Sequence, residues 1–207
     1  MTEKQLTEKE SLEVITSMIA RTKERYVGDG KILLMWGYLD VAIAILVWAL
    51  VLSTHNHAWH WLWFAIPLIG YPATVVMTRN KQRVRGVTTY SDKISSKLWT
   101  FVGLSEFAAV CLCLVFHFGF GVNCWFTLMM YSLIAVPLAV AIQGVIIKEG
   151  SFVVGGSLGL LIGLFTLCCV IGRVALIDAW IMPLFILAFI AIMIIPGHAL
   201  NYKAQRQ

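Results

Sequence analysis

Residues 32–53 read ILLMWGYLDVAIAILVWALVLS, an apolar run with a single charged residue, Asp40. A helix needs about 20 mostly apolar residues to cross the roughly 30 Å hydrocarbon core of a bilayer. Five further runs of this kind follow along the chain, at residues 59–78, 98–118, 122–147, 151–171 and 174–196. The sequence therefore predicts an all-α membrane protein with six transmembrane helices.

The composition agrees with this prediction and leaves little chain for a soluble core. Of the 207 residues, 59% are hydrophobic and 13% are charged, whereas soluble domains contain about 25% charged residues. We expect three regions: an N-terminal amphipathic helix at residues 1–30, a transmembrane domain of three helical hairpins at residues 31–200, and a cytoplasmic tail at residues 201–207.

The positions of lysine and arginine predict how the chain is oriented. Fifteen of the 16 lie in the N-terminal segment, in a connector at residues 79–97, in the turn at Lys148 or in the C-terminal tail, and Arg173 alone lies on the opposite side. Cytoplasmic loops carry the excess of positive charge, so both termini are expected in the cytoplasm of a multi-pass inner-membrane protein. The net charge of +5 then favours contact with the anionic headgroups of the lipid bilayer, and no nucleic-acid partner is expected.

Residues 1–27 have the pattern of an amphipathic helix. The sequence TEKE at residues 7–10 has the spacing of a capping box, and Leu12, Ile15 and Ile19 then recur on one helical face. Two interpretations remain open. The helix lies on the inner headgroups, or it docks a cytoplasmic partner.

Two acidic residues lie within the apolar runs at matching positions. Asp40 and Glu106 each follow a lysine by nine residues and a glycine by three; these residues are Lys31, Lys97, Gly37 and Gly103. At a rise of 1.5 Å per residue, each acid lies about 13 Å from its lysine, near the middle of the bilayer. A charge there costs about 2.5–3.5 kcal/mol on insertion scales. Intramembrane acids are therefore expected to handle a cation or a proton, or else to be neutral carboxyls that hydrogen-bond neighbouring helices.

Other polar residues fall on faces from which they could serve the same site. Cys113 and His117 lie within about 40° of Glu106 on an ideal helix and form a polar seam toward the outer face. We therefore name Asp40, Glu106, Cys113 and His117 as candidate ion- or proton-binding residues. Four residues on neighbouring spans are candidates to line a pathway: Tyr71, Thr74, Ser132 and Gln143.

The outer loop after the first span contains three histidines within six residues. His55, His57 and His60 could bind a divalent metal ion. They alternate with tryptophans at positions 59, 61 and 63, so an aromatic belt at the membrane interface explains the same segment.

The fifth span carries small residues at a strict four-residue spacing. Gly155, Gly159 and Gly163 lie on one face, and such a pattern lets another helix approach closely. It could join helices within the bundle, form a homo-oligomer or provide a hinge.

No recognised catalytic or cofactor-binding motif is found, so neither an enzyme nor a cofactor is expected. The layout resembles uncharacterised small six-span proteins of bacterial inner membranes that have a charged N-terminal helix, and the resemblance covers the layout only. The preferred hypothesis is a transporter or channel for a small cation or a proton-coupled solute. The alternative is a membrane-embedded regulatory or interaction subunit without transport activity.

Overall fold

The computed structural model describes residues 30–85, 90–174 and 176–206, together with residues 7, 9, 11–14 and 16–17. The few described N-terminal residues include helical ones, and the Ser11 N–H donates to the Thr7 carbonyl at 2.9 Å. The rest of the helix predicted at residues 1–27, with the partner site suggested for it, lies outside the described residues.

The described chain is helical and contains no strand. The helices are α1 (Lys31–Thr54), a 3-10 helix (His57–Phe64), α2 (Ala65–Arg85), α3 (Tyr90–Phe120), α4 (Phe126–Ile147), α5 (Gly150–Ile171), α6 (Leu176–Phe189), a π-helical turn (Ile190–Ile194) and α7 (Ile195–Gln205). The last three follow one another directly. Six helical segments are long and apolar enough to cross a membrane, and the sixth of them runs from Trp180 to Lys203. The predicted all-α, six-span membrane protein is confirmed.

The connector predicted at residues 79–97 is largely helical. Helix α2 continues to Arg85 and α3 begins at Tyr90, which leaves residues 86–89 outside the described part of the chain. Helix α3 has 31 residues and is therefore about 46 Å long, well beyond the hydrocarbon thickness of roughly 30 Å. The connector is mostly helical because a run of charges marks where the membrane ends, whereas a helix can continue into water.

The helices pack in an order that differs from their order in the sequence. Each predicted hairpin pair is in contact, but the most extensive interface joins α4 to α5. Helix α1 packs against α6, the π-helical turn and α7, which in turn pack against α5. The resulting spatial order is α2, α1, α6 with α7, α5, α4 and α3. The edge helices α2 and α3 share no extended interface within their described residues.

The two ends of the bundle differ in composition. The end with Lys31, Lys97, Lys148 and Lys203 is called the basic end here, and the end with His55, His57 and His60 is called the histidine end. At the basic end, the Lys203 ammonium pairs with the Glu149 carboxylate. The Gly30 N–H donates to the Asn201 side-chain oxygen at 3.0 Å, so the start of α1 is fixed to α7.

The π-helical turn in the last span has an identifiable cause and a packing consequence. Pro196 has no N–H to donate to the carbonyl one turn earlier, and its ring crowds that carbonyl, so the helix preceding it is widened. Gly37 of α1 packs against this turn: a Cβ at Gly37 would lie 2.7 Å from Cβ of Met193. The close approach brings α1, and with it Asp40, into the centre of the bundle.

The glycine face of α5 is used inside the subunit. Gly155 faces the Ala191 carbonyl, at 2.8 Å from an added Cβ, and Gly163 faces the Leu133 carbonyl. Gly159 lies between Ile192 and Pro137. All three glycines are buried. The chain's own α4 and last span therefore pack against this face within the subunit. The homo-oligomer suggested for it stays a prediction.

Candidate functional site

A large cavity lies between the two edge helices. Its volume is about 1960 Å³, and residues of α2 and α3 form its sides, with α1, α4 and α6 behind them. The lining extends from Thr78 and Lys97 near the basic end to His57 and His60 at the histidine end. The cavity therefore follows the length of the bundle and is the feature around which the candidate site is built.

Both intramembrane acids line this cavity. Asp40 projects from α1 and Glu106 from α3, and the two carboxyl groups are close enough to repel each other when both are ionised. The two acids come from helices that are not neighbours in the packing order. They face the same space because the cavity between the edge helices α2 and α3 extends back to α1.

Asp40 is the more enclosed of the two acids. Its side chain is 7% exposed, and among the described residues its carboxyl has no hydrogen-bond or ion-pair partner. Buried carboxyls without partners are costly because the protein replaces none of the water they lose. The surface that Asp40 retains faces the cavity, where a ligand or water can supply the missing interaction.

Glu106 differs from Asp40 because a neighbouring helix supplies it with a donor. The Ser132 hydroxyl of α4 donates to Oε1 of Glu106 at 3.1 Å. Two turns nearer the basic end, Nε1 of Trp99 on α3 donates to Oε1 of Gln143 on α4 at 2.7 Å. These bonds hold α3 against α4 and leave part of the Glu106 carboxyl exposed to the cavity.

Trp36 is fixed between Asp40 and helix α2. It lies one helical turn before Asp40 on the same face of α1, and both line the cavity. Its Nε1 donates to the Thr74 hydroxyl at 2.9 Å, and its ring meets the Tyr71 ring edge-on, with the centroids 5.6 Å apart. An aromatic wall is thereby held rigidly beside the Asp40 carboxyl.

A contact between Tyr71 and Gly103 bridges the gap between α2 and α3 near Glu106. The Tyr71 hydroxyl of α2 reaches Gly103 of α3 so closely that a Cβ at Gly103 would overlap it. Gly103 precedes Glu106 by one turn, and Tyr71 is near enough to Glu106 to interact with it electrostatically. The contact of Tyr71 with Gly103 thus narrows the opening of the cavity between α2 and α3.

The four residues named as pathway candidates all line the cavity, namely Tyr71, Thr74, Ser132 and Gln143. His117 also lines it, at the histidine end, where its ring lies 6.0 Å from that of Trp125. Cys113 does not line it. Its thiol turns toward the α3–α4 loop and donates to the Cys124 carbonyl at 3.3 Å. The predicted polar seam is therefore interrupted at Cys113, whose thiol faces the loop before α4.

The three outer histidines do not come together. His55 ends α1 in the left-handed conformation, whereas His57 and His60 lie one turn apart on the 3-10 helix with their rings stacked at 5.9 Å. Within the described part of the chain, no group of three His, Cys, Asp or Glu side chains could hold a metal ion. The predicted metal site at His55, His57 and His60 is not formed, because the helix ends between the first and the second histidine.

Two tryptophans of the site were missed by sequence reasoning. Trp36 and Trp99 are cavity residues, but tryptophans were interpreted only as an aromatic belt. Their spacing to the acids was a usable signal: Trp36 precedes Asp40 by four residues, and Trp99 precedes Glu106 by seven. Both spacings put the tryptophan on the same helical face as the acid.

Comparison of the chain with protein-family models, with curated proteins and with solved structures finds no match.

Proposed function

We propose that this integral membrane protein binds a cation at Asp40 and Glu106 and carries it, or a solute coupled to it, across the bilayer. The observation that supports the proposal best is that both carboxyl groups, from two separate helices, line one cavity. In this proposal the termini lie in the cytoplasm, as the excess of lysine and arginine at the basic end favours.

The energetics favour a cation over a purely structural role. Two charges in the membrane cost about 5–7 kcal/mol on insertion scales, whereas a hydrogen bond between membrane helices returns about 0.6 kcal/mol on average. Glu106 has one such bond, from Ser132, and Asp40 has no described partner. A bound cation would offset the cost for both groups at once, which scattered hydrogen bonds do not.

The packing order suggests how access to the carboxyls would change. The edge helices α2 and α3 are each held on one side, α2 by α1 and the 3-10 helix, and α3 by α4. Only 6% of the residues in the apolar window of each are buried, against 28–39% in the other four spans. In the proposal, α2 and α3 move against the more tightly packed remainder and open the carboxyls to one end at a time.

The test is cation flux into liposomes that contain the purified protein. Proton movement is followed with an enclosed pH-sensitive dye under a fixed potassium diffusion potential, and sodium movement with ²²Na⁺. We expect the wild type to exceed empty liposomes for at least one cation. The double variant Asp40→Asn with Glu106→Gln should fall to the level of empty liposomes.

The matched control is Glu149→Gln, which removes a carboxylate outside the cavity that pairs with Lys203. Its flux should equal that of the wild type. The proposal is wrong if the double variant transports as the wild type does, or if the wild type moves neither protons nor sodium faster than empty liposomes.

A further inference from the structure

The cavity is much larger than a monatomic cation needs. Pockets that hold a drug-sized molecule have volumes of about 300–1,000 Å³, and this cavity has about 1960 Å³. A site built for a proton or a single metal ion closes polar groups around it, whereas here most of the lining is aromatic or aliphatic. The volume and the lining therefore indicate an organic ligand with a substantial apolar body.

Several aromatic residues line the cavity together with the acids. Trp36 and Tyr71 form a fixed pair beside Asp40, held by the bond from Trp36 to Thr74. Behind them, Phe185 and Phe189 of α6 are stacked with their ring centroids 4.4 Å apart, and both line the cavity. Aromatic faces attract cations through their quadrupoles and also pack against apolar groups.

The charge of the ligand follows from the two carboxyls. Asp40 is more than nine-tenths buried, faces the cavity and lacks a partner among the described residues. Lysine and arginine side chains are the usual partners of a buried carboxylate, yet the only lysines of the lining, Lys93 and Lys97, lie near the basic end. The positive partner of Asp40 is therefore absent from its surroundings in the described chain.

The gap between α2 and α3 faces the side of the bundle. Leu68 of α2 and Phe107 of α3 line the cavity and are at the same time 76% and 66% exposed. Side chains at this edge of the cavity therefore also contact the surrounding bilayer. A ligand that partitions into the membrane would meet the gap directly, beside the contact of Tyr71 with Gly103.

We infer that the cavity binds an amphiphilic organic cation, with one positive charge on an aromatic or branched apolar body. The charge lies between Asp40 and Glu106, and the apolar body packs against Trp36, Tyr71, Phe185 and Phe189. The inference rests on the proposed cation binding at the two acids and names the class of cation that they receive.

The experiment measures binding of tetraphenylphosphonium to the purified full-length protein in neutral detergent, by equilibrium dialysis of the radiolabelled ion. Tetraphenylborate, which has the same shape and the opposite charge, is the matched ligand control. We expect saturable binding of tetraphenylphosphonium and no saturable binding of tetraphenylborate. This comparison needs no variant and remains decisive even where a substitution fails to fold.

Four variants locate the site, each checked for wild-type elution on size-exclusion chromatography. Asp40→Asn should weaken binding at least tenfold, Glu106→Gln should weaken it several-fold, and Glu149→Gln should leave it unchanged. Trp36→Leu, which removes the aromatic face and keeps an apolar side chain, should also weaken it several-fold.

The inference is overturned if tetraphenylphosphonium does not bind, if tetraphenylborate binds equally well, or if both Asp40→Asn and Glu106→Gln bind as the wild type does. Its failure is distinguishable from failure of the proposed transport. Proton or sodium flux without tetraphenylphosphonium binding rejects the organic cation and retains transport. Binding that depends on Asp40, without any flux, retains the site and rejects transport.

Discussion

The α4–α5 interface and the gap between α2 and α3 both lie between membrane-spanning helices but are packed in opposite ways. Between α4 and α5, glycines let the two backbones touch: a Cβ at Gly156 would lie 2.7 Å from the Pro137 carbonyl oxygen and 2.5 Å from the Ala141 nitrogen. Between α2 and α3, Tyr71 reaches Gly103, but a cavity lies between the two helices and their described residues share no extended interface.

The difference shows that small residues and polar residues have different roles in this bundle. Apolar side chains give membrane helices little preference among partners, because lipid is as apolar as they are. Close backbone approach therefore decides which helices pair firmly, and the glycines of α5 select α4 and the last span. Helices α2 and α3 lack such a face and are left at the edges. Their polar side chains line a cavity there without disturbing the packing of the other helices.

The comparison is tested first by adding one methyl group to the α4–α5 interface. Gly156→Ala should lower stability by about 1–3 kcal/mol, the usual cost of overpacking, because the new Cβ meets backbone atoms of α4 that cannot move aside. Thermal unfolding in detergent micelles measures the effect. Gly119→Ala is the control, since a Cβ there meets nothing within 4 Å. Equal unfolding temperatures for the two variants would contradict the assigned role of the glycine face.

The same substitution in the gap should have a smaller effect. In Gly103→Ala the new Cβ meets only the hydroxyl end of Tyr71, which can rotate into the cavity. Replacing glycine by alanine within a helix also gains up to about 1 kcal/mol, so the net change should stay within about 1 kcal/mol. Thermal unfolding beside Gly156→Ala provides the comparison. A loss as large as that of Gly156→Ala would mean that α2 and α3 are tightly packed.

The smallest effect concerns the contact that holds α2 onto α1. The bond from Trp36 to the Thr74 hydroxyl should contribute a coupling energy of about 0.6 kcal/mol, the average for hydrogen bonds between membrane helices. A double-mutant cycle of Trp36→Phe and Thr74→Val measures it. A coupling energy near zero would show that α2 is held by apolar contact alone. A coupling energy of several kcal/mol would show that α2 is held as firmly as the more tightly packed helices.

Much of the fold could be predicted because hydropathy and length report directly on membrane spans. The six spans and their pairing as hairpins were correct, and the spacing of Gly155, Gly159 and Gly163 correctly indicated a helix-packing face. The partner of that face could not be predicted, since a glycine pattern states that a backbone comes close without stating which one. The helical structure of the connector at 79–97 could not be predicted, because charge marks the membrane boundary and not the end of a helix.

The candidate site was predictable only in part. The cost of burying charge singles out Asp40 and Glu106 from the sequence alone, and helical spacing places His117 on the same face of α3 as Glu106. The same spacing includes Cys113, whose thiol instead donates to the Cys124 carbonyl outside the cavity lining. The three histidines were grouped by nearness in sequence, but a helix end at His55 separates them.

The sequence by itself determined that this chain crosses the membrane as helices and that two acids lie within its apolar runs. Both facts follow from transfer free energies, which depend on the residues of one segment at a time. Only the tertiary structure decided that α2 and α3 lie at the edges and that Asp40 and Glu106 face one cavity. Those outcomes depend on which backbones can approach one another, and this is a property of pairs of helices.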